Sequence, residues 1–572
     1  MDKLCRIHMD KLECELAPIP PELKYLGGRG LCSTLIANEV RPTCYPLGFE
    51  NKLVIAPGIL AGTVSPCSQR VSVGAKSPLT GGIKEANAGG TFGQKMGRLG
   101  LAAIVLEGKP ETDQLYIAHI NCDGARLEVA DDLKGSGNYK VTEALRAKYG
   151  NHIGIVTIGP AGEMRMASAS VAMADQDGIP ARHAARGGLG AVMGSKSVKA
   201  IFIDDTGVPK TVPADNDKTF KRIVKEFIAV IKERPRVKHR LHRFGTAGLL
   251  LAVNELNSLP TRNFSKGQTE MAERIAGESV TELINARGGQ TGHGCYSGCI
   301  IRCSNKFNDK DGSHLTSSFE YETLALMGSN CEIYDIDAIA KMDRLCDDIG
   351  IDTIETGGAI GVAMESGFLS FGDHRRVIEI LHEIRKGTPL GRVIGNGTAI
   401  TGKVFGVERV PTIKRQCLPG WDPRTAVATG ITFMTSPQGA DHTAGRLQGI
   451  MEFDLLDKGN IAALSKDMQM RSCFYDTVGL CHFADGTTES IEWQAKLLSA
   501  FSGKTFSEDD AMKLGETILR TEIGFNTAAG ISDAQDNLPE FMNKEPLPPG
   551  ITFPVSQEEI TATFAGLKKS GS

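Results

Sequence analysis

Hydrophobic positions change their period along the chain. Up to about residue 205, apolar residues come in short runs: Lys52-Leu-Val-Ile-Ala56, Ala102-Ala-Ile-Val-Leu-Glu107, Gln114-Leu-Tyr-Ile-Ala118 and Ile153-Gly-Ile-Val-Thr-Ile158. Runs of this length bounded by Gly, Pro or Asp predict strands. Beyond about residue 213 the period lengthens. Lys218 to Lys232, Val280 to Asn285, Tyr321 to Cys346 and Arg375 to Arg385 carry apolar side chains at helical spacing. Gly- and Pro-containing loops follow Pro411, helices return at Ser490 to Phe501 and Glu508 to Thr521, and the tail from Asn543 reads as extended. The pattern predicts an α+β protein: a β-rich N-terminal domain over 1–210, then two mostly α-helical domains over 211–415 and 416–572. No internal repeat is visible.

Composition narrows the class. With 572 residues, 41% hydrophobic and 23% charged, the chain reads as a soluble multidomain protein. A net charge of −4 with no dominant Lys/Arg block argues against a nucleic-acid partner. No apolar stretch reaches 18 residues, so no membrane span is expected. Fourteen cysteines without an apolar leader point to a reducing cytoplasm, with thiols and metal ligands in place of disulfides.

Three of those cysteines form Cys295-Tyr-Ser-Gly-Cys299-Ile-Ile-Arg-Cys303. Thiolates this close on one loop-to-helix segment can hold three corners of an iron–sulfur cube. A fourth corner is available downstream in Asp476-Thr-Val-Gly-Leu-Cys481. The other cysteines lack ligand spacing and read as buried thiols.

Glycine is abundant at 66 residues and concentrates in four loops: Gly27-Gly-Arg-Gly30, Gln69 to Gly82, Asn87-Ala-Gly89-Gly-Thr-Phe-Gly93 and Ala185-Arg186-Gly187-Gly-Leu-Gly190 through Lys196. Glycines let backbone N–H groups face an anion, and interspersed Arg or Lys adds charge. Together the loops suggest a large ligand with more than one phosphate, although each alone reads as a turn. Neither the Walker nor the Rossmann pattern is present.

The helical half adds polar groups. Glu320-Tyr-Glu322 heads a predicted helix, where acids also simply complement the helix dipole. His442 lies in the loop Gly439-Ala-Asp-His-Thr443. Asp347-Asp-Ile-Gly350-Ile-Asp352 and Asp476-Thr-Val-Gly479-Leu-Cys481 are two copies of D-x-x-G-[IL]-[DC], carboxylates on turns suited to the amino-pyrimidine N–H groups of a pterin.

In their order, these motifs resemble the tungsten-containing aldehyde:ferredoxin oxidoreductase family, from Gly27 to Cys481. The resemblance implies a two-sheet first domain forming the base for a tungsten (or molybdenum) bis-pterin, with the metal held by pterin dithiolenes, and a nearby [4Fe–4S] cluster. By the same resemblance Arg70, Asn87, Gly89, Arg186 and Gly187 match the phosphate and Mg²⁺ side of the pterin pair. Asp347 and Asp476 match the residues holding the pterin rings. Cys295, Cys299, Cys303 and Cys481 match the cluster ligands, and Glu322 and His442 the active-site acid and histidine. Two departures stand out: the family triplet is C-x2-C-x3-C, one residue shorter in its first gap, and the first D-x-x-G copy ends in Ile-Asp.

The chemistry implied is oxidation of a small aldehyde to its acid. Glu322 would act as general base on the attacking water, with Glu320 next in line, and His442 would hydrogen-bond the carbonyl oxygen. Electrons would leave through the cluster to a ferredoxin or ferredoxin-like subunit. Two alternatives remain open: reduction of an aromatic thioester or a carboxylic acid on the same scaffold, the former with a cysteine at the metal, or a non-catalytic iron–sulfur carrier subunit. Neither substrate, metal nor oligomeric state is fixed by the sequence.

Overall fold

The computed structural model describes residues 1–445, 447, 461–484 and 489–568. Twelve strands build the N-terminal region. Strands β1 (Lys3–His8), β2 (Glu13–Pro18), β3 (Leu53–Pro57), β4 (Val71–Lys76), β5 (Ile83–Ala88) and β6 (Leu101–Glu107) form one sheet in the order β2-β1-β6-β3-β4-β5. Strands β7 (Tyr116–Asn121), β8 (Gly124–Val129), β9 (Gly154–Thr157), β10 (Val171–Met173), β11 (Arg182–Ala184) and β12 (Val198–Ile203) form the second, ordered β11-β10-β9-β12-β7-β8.

These two sheets have the same topology. In each, the first strand pairs parallel with the last, and every other ladder is antiparallel. Residues 3–107 and 116–203 are therefore one unit used twice, a repeat that the sequence hides because only strand order and a few glycines are shared. The central strands are buried on both faces, which is why they read as continuous apolar runs. One apolar cluster, including Ile55, Val73, Ile104, Val156, Met173 and Ile201, joins the two sheets.

The helical remainder differs from its sequence reading in four places. Tyr321 does not start a helix that runs to Cys346: a short helical segment ends at Gly328, and a separate helix, Ile336–Ile349, begins after Asp335 caps it through Asp337 and Ala338 N–H. Cys331 and Cys346 are nonetheless buried. The cysteine triplet lies in a strand-to-strand loop, between β13 (Gln290–His293) and β14 (Ser304–Asn308) of a small antiparallel sheet completed by β15 (His314–Ser317). Helices Thr353–Glu365 and Ile461–Val478 arise where no amphipathic stripe showed, because they are apolar nearly all round or buried among neighbours. The tail carries a helix, Gln557–Lys568.

Candidate functional site

Each D-x-x-G copy is the C-terminal end of a helix, not an isolated turn. Gly350 closes Ile336–Ile349 and Gly479 follows Ile461–Val478, with φ of +76° and +78°, the left-handed conformation glycine adopts at no steric cost. The two ends dock on equivalent points of the duplicated base. A Cβ on Gly58, after β3, would lie 2.2 Å from Gly479 Cα. A Cβ on Gly159, after β9, would lie 2.2 Å from the Ile349 carbonyl. Arg70 N–H donates to Gly479 O at 3.3 Å, and Ser170 N–H donates to Gly350 O at 2.8 Å. An aspartate near a helix C-terminus opposes the dipole, so both copies keep an acid where helix stability alone disfavours one.

Asp347 lines a cavity of about 340 Å³ together with Arg70, Asn87, Gly89, Glu322, His442 and the four cysteines; Asp476 lies behind that wall, bonded to two of its lining residues, Asn87 and His482. Asp476 accepts from Asn87 Nδ2 at 3.0 Å and lies 2.8 Å from His482 Nε2; Arg29 Nη1 stands 3.5 Å away. Asp347 lies 3.2 Å from His183 Nε2, and its Oδ2 is buried with no hydrogen-bond partner. A buried carboxylate oxygen without a donor calls for a ligand N–H. The paired histidines, His183 and His482, carried no spacing signal and were missed by the sequence.

The thiols line the same cavity. Burial opposes ionisation of Cys295, but a hydrogen bond from Cys299, the largest influence, and the nearby Arg182 and Arg70 bring its thiol down to about 6. A Cβ on Gly89 would sit 2.9 Å from Cys295 Sγ, so this glycine makes room for the thiol. Cys67, read as merely buried, adds a fifth sulfur: its carbonyl accepts Cys481 N–H at 2.7 Å and its N–H donates to Tyr296 Oη at 2.9 Å. This donor set, four thiols on two segments with one already acidic, suits an iron–sulfur cluster.

Across the cavity, Glu322 accepts Gly420 N–H at 2.7 Å and stands 3.8 Å from His442 Nε2. Burial raises its carboxyl, against the lowering effects of His442 and the Gly420 N–H. Glu320 lines the same cavity but is held by other partners, accepting from Ser318 Oγ at 2.9 Å and lying 3.9 Å from Arg182. The neighbour of His442, Asp441, is held well below the usual carboxylate range: burial pushes upward, but Lys84 and Arg186 outweigh it.

Several glycine-loop readings change. Gly27-Gly-Arg-Gly30 is packing: a Cβ on Gly28 would fall 1.9 Å from Asp476 O, and Arg29 is buried on Glu522 at 2.7 Å. The ammonium groups of Lys76 and Lys196 are spent on the backbone carbonyls of Pro42, Gly48 and Phe49. Arg186 lines the cavity, yet its guanidinium binds Asp352 Oδ2 at 3.2 Å, Cys417 O at 2.6 Å and Ala440 O. Gly187 is packed on the Lys84 side chain. Of the phosphate-side residues, Arg70 and Asn87 remain beside Asp476, bonded to one another.

Comparison with known proteins settles the family. The model of the aldehyde ferredoxin oxidoreductase N-terminal domain matches residues 4–205, and that of domains 2 and 3 matches 222–562. The chain belongs to the aldehyde ferredoxin oxidoreductase family. It is 34% identical to the tungsten-containing aldehyde ferredoxin oxidoreductase of Thermococcus kodakarensis and 33% to that of Pyrococcus furiosus, each over 96% of this chain and 92% of the relative. An aliphatic sulfonate oxidoreductase subunit of Pyrococcus furiosus is 24% identical, over 92% of this chain and 86% of its own. In fold, the chain superposes on the active-site complex of a benzoyl coenzyme A reductase with a TM-score of 0.82 at 18% identity, covering 99% and 94% of the two chains. The α+β reading of a β-rich region followed by helical ones therefore holds, and the chain is an oxidoreductase of a family whose members' names imply a tungstopterin. Among the described residues, no helix is long and apolar enough to cross a membrane.

Proposed function

We propose that this enzyme oxidises aldehydes to carboxylic acids on a tungsten or molybdenum bis-pterin. Asp347 and Asp476 would hold the two pterin rings. Arg70 and Asn87 would lie toward the phosphates and their Mg²⁺, with the backbone around Gly89, Arg186 and Gly187 shaping that side. Cys295, Cys299, Cys303 and Cys481 would hold a [4Fe–4S] cluster. When bound, these groups supply the two-electron oxidation and its division into single-electron steps. The overall change is RCHO + H₂O → RCOOH + 2e⁻ + 2H⁺.

The chain's own part is proton handling. Glu322, kept less acidic by burial, takes the proton of the attacking water. His442 hydrogen-bonds the carbonyl oxygen as charge develops there. Asp441 beside it stays anionic on Lys84, and Tyr321, whose hydroxyl donates to Gly420 O, fixes the loop whose Gly420 N–H donates to Glu322.

The observation that carries this reading is the Glu322–His442 pair facing into a cavity with five thiols, all in the cluster region. A cysteine beside Glu322 would favour the thioester-reducing chemistry. Among the described lining residues none stands there: Cys67 joins the ligand cysteines, to which it is electrostatically close. Anaerobically purified protein should contain about one W or Mo per four Fe and reduce a dye when given aldehyde. Iron without tungsten, molybdenum or pterin would support the carrier reading instead. Electrons would pass to a ferredoxin or ferredoxin-like subunit.

A further inference from the structure

The segment Arg234-Pro-Arg-Val-Lys-His-Arg-Leu-His-Arg243 has five Lys or Arg and two His in ten residues and no acid, in a chain of net charge −4. Its place in the fold sets it apart. It lies across both segments that carry the thiols. A Cβ on Gly245 would fall 2.7 Å from Cys303 O, and one on Gly292 would fall 2.7 Å from the His242 ring. Arg236 Nη2 donates to His482 O at 3.5 Å, next to Cys481, and Arg234 donates to Ala484 O. Lys238, His239, His242 and Arg243 are exposed, and so is Arg302 on the cysteine loop itself. The tip of that loop, Ser297-Gly298, also reaches solvent. The nearest acid in sequence, Glu233, meets only Lys238, at 2.9 Å.

We propose that this basic face, formed by Lys238, His239, His242, Arg243 and Arg302 around the exposed cysteine loop, is the docking surface for an acidic one-electron iron–sulfur carrier protein. The proposal rests on the cluster assigned above and adds where its electrons leave. A cation-rich patch draws an acidic partner by long-range steering and fixes its orientation. Here it would set the carrier's cluster against the loop that holds the enzyme's own. Each docked oxidised carrier takes one electron, so two dockings match one aldehyde and two released protons. Basic patches also attract nucleic acid or anionic lipid, but neither explains why the patch surrounds the tip of the loop that carries Cys295, Cys299 and Cys303.

The test uses holoenzyme and an acidic single-cluster ferredoxin as probe. Binding is measured against ionic strength for the wild type and for Lys238→Glu/Arg243→Glu, with Lys238→Gln/Arg243→Gln as an intermediate. Wild-type affinity should fall with salt, the charge-reversed protein should bind at least about tenfold more weakly with a shallower salt dependence, and the glutamine pair should lie between. Aldehyde-driven bleaching of the enzyme's own cluster should be unchanged. Equal affinity and equal salt slope in all three proteins would overturn the proposal. So would a substitution effect confined to duplex DNA or anionic vesicles. Binding is read without turnover, so if aldehyde oxidation proved absent while the substitutions still weakened ferredoxin binding, only the reaction assignment would fail.

Discussion

The carboxylate of Glu322 and Nε2 of His442 stand 3.8 Å apart, beyond a direct hydrogen bond and within the span that one bridging oxygen can fill. That gap is where a water or a carbonyl oxygen would be handed between base and hydrogen-bond donor. Glu322→Gln should keep the shape and the Gly420 contact yet lose about 10²–10⁴ in kcat, with iron and tungsten or molybdenum content unchanged. Turnover near wild type with full metal content would move the base elsewhere, Glu320 first.

The pH profile checks the same residue independently. Burial holds the Glu322 carboxyl above its ordinary value, and a general base works only when ionised. The acid limb of kcat/KM should therefore lie above the usual carboxylate pKa of about 4.3. An acid limb at or below that value would remove Glu322 from the role.

Gly58 meets Gly479 so closely that an alanine Cβ would lie 2.2 Å from backbone. No rotamer relieves that contact; the helix carrying Asp476 would have to move off the base. Gly58→Ala should lower stability by about 1–3 kcal/mol and reduce pterin content in metal-loaded preparations. Gly524→Ala, in the helix Glu508–Ala528 with no atom near its Cβ position, should be neutral or slightly stabilising. If both variants bind cofactor equally, the glycine contact does not position Asp476.

How much of this was legible follows from what sequence encodes locally. Strands β3, β6, β7 and β9 showed because a buried strand writes an apolar run into consecutive residues. The cysteine spacing and the two D-x-x-G copies were visible for the same reason, and the cavity brings both sets together. The duplication of the base was invisible because it lives in strand pairing, which leaves no mark at fixed sequence distance. Gly28 and Arg29 were misread as ligand loops because a glycine that admits a helix end and one that admits a phosphate look alike until the neighbour is known. Asp352 and Cys481 occupy the same position of the repeated motif, one bonded to Arg186 and the other among the cluster thiols. The shared pattern marks two equivalent helix ends, while their chemistry divides.

Arg29 and Glu522 form a buried bidentate pair, at 2.8 and 2.7 Å, that ties the first helix to the helix Glu508–Ala528. Both side chains are at most 2% exposed, so removing one charge strands the other. Glu522→Gln should cost about 3–5 kcal/mol, seen as a lower unfolding temperature. It should also disturb Asp476, whose carboxylate Arg29 approaches at 3.5 Å. A loss under about 1 kcal/mol would mean that the guanidinium finds water or Asp476 alone sufficient.

Glu85 sits on β5 beneath Asp476, buried and with Oε1 unpartnered. Burial, and then the charge of Asp476, push its carboxyl up to about 8. In the unfolded chain a glutamate titrates near 4.3. Between those values the folded protein holds a proton that the unfolded chain has released, so stability is fullest below about 4.3 and is lost as pH rises toward 8. The limiting slope for one group is about 1.4 kcal/mol per pH unit. Glu85→Gln has no proton to lose, and the unfolding temperature of the wild type should fall relative to this variant as pH is raised from 5 to 8. Parallel curves across that window would show that Glu85 is already ionised, with Arg29 and Lys84 compensating its charge.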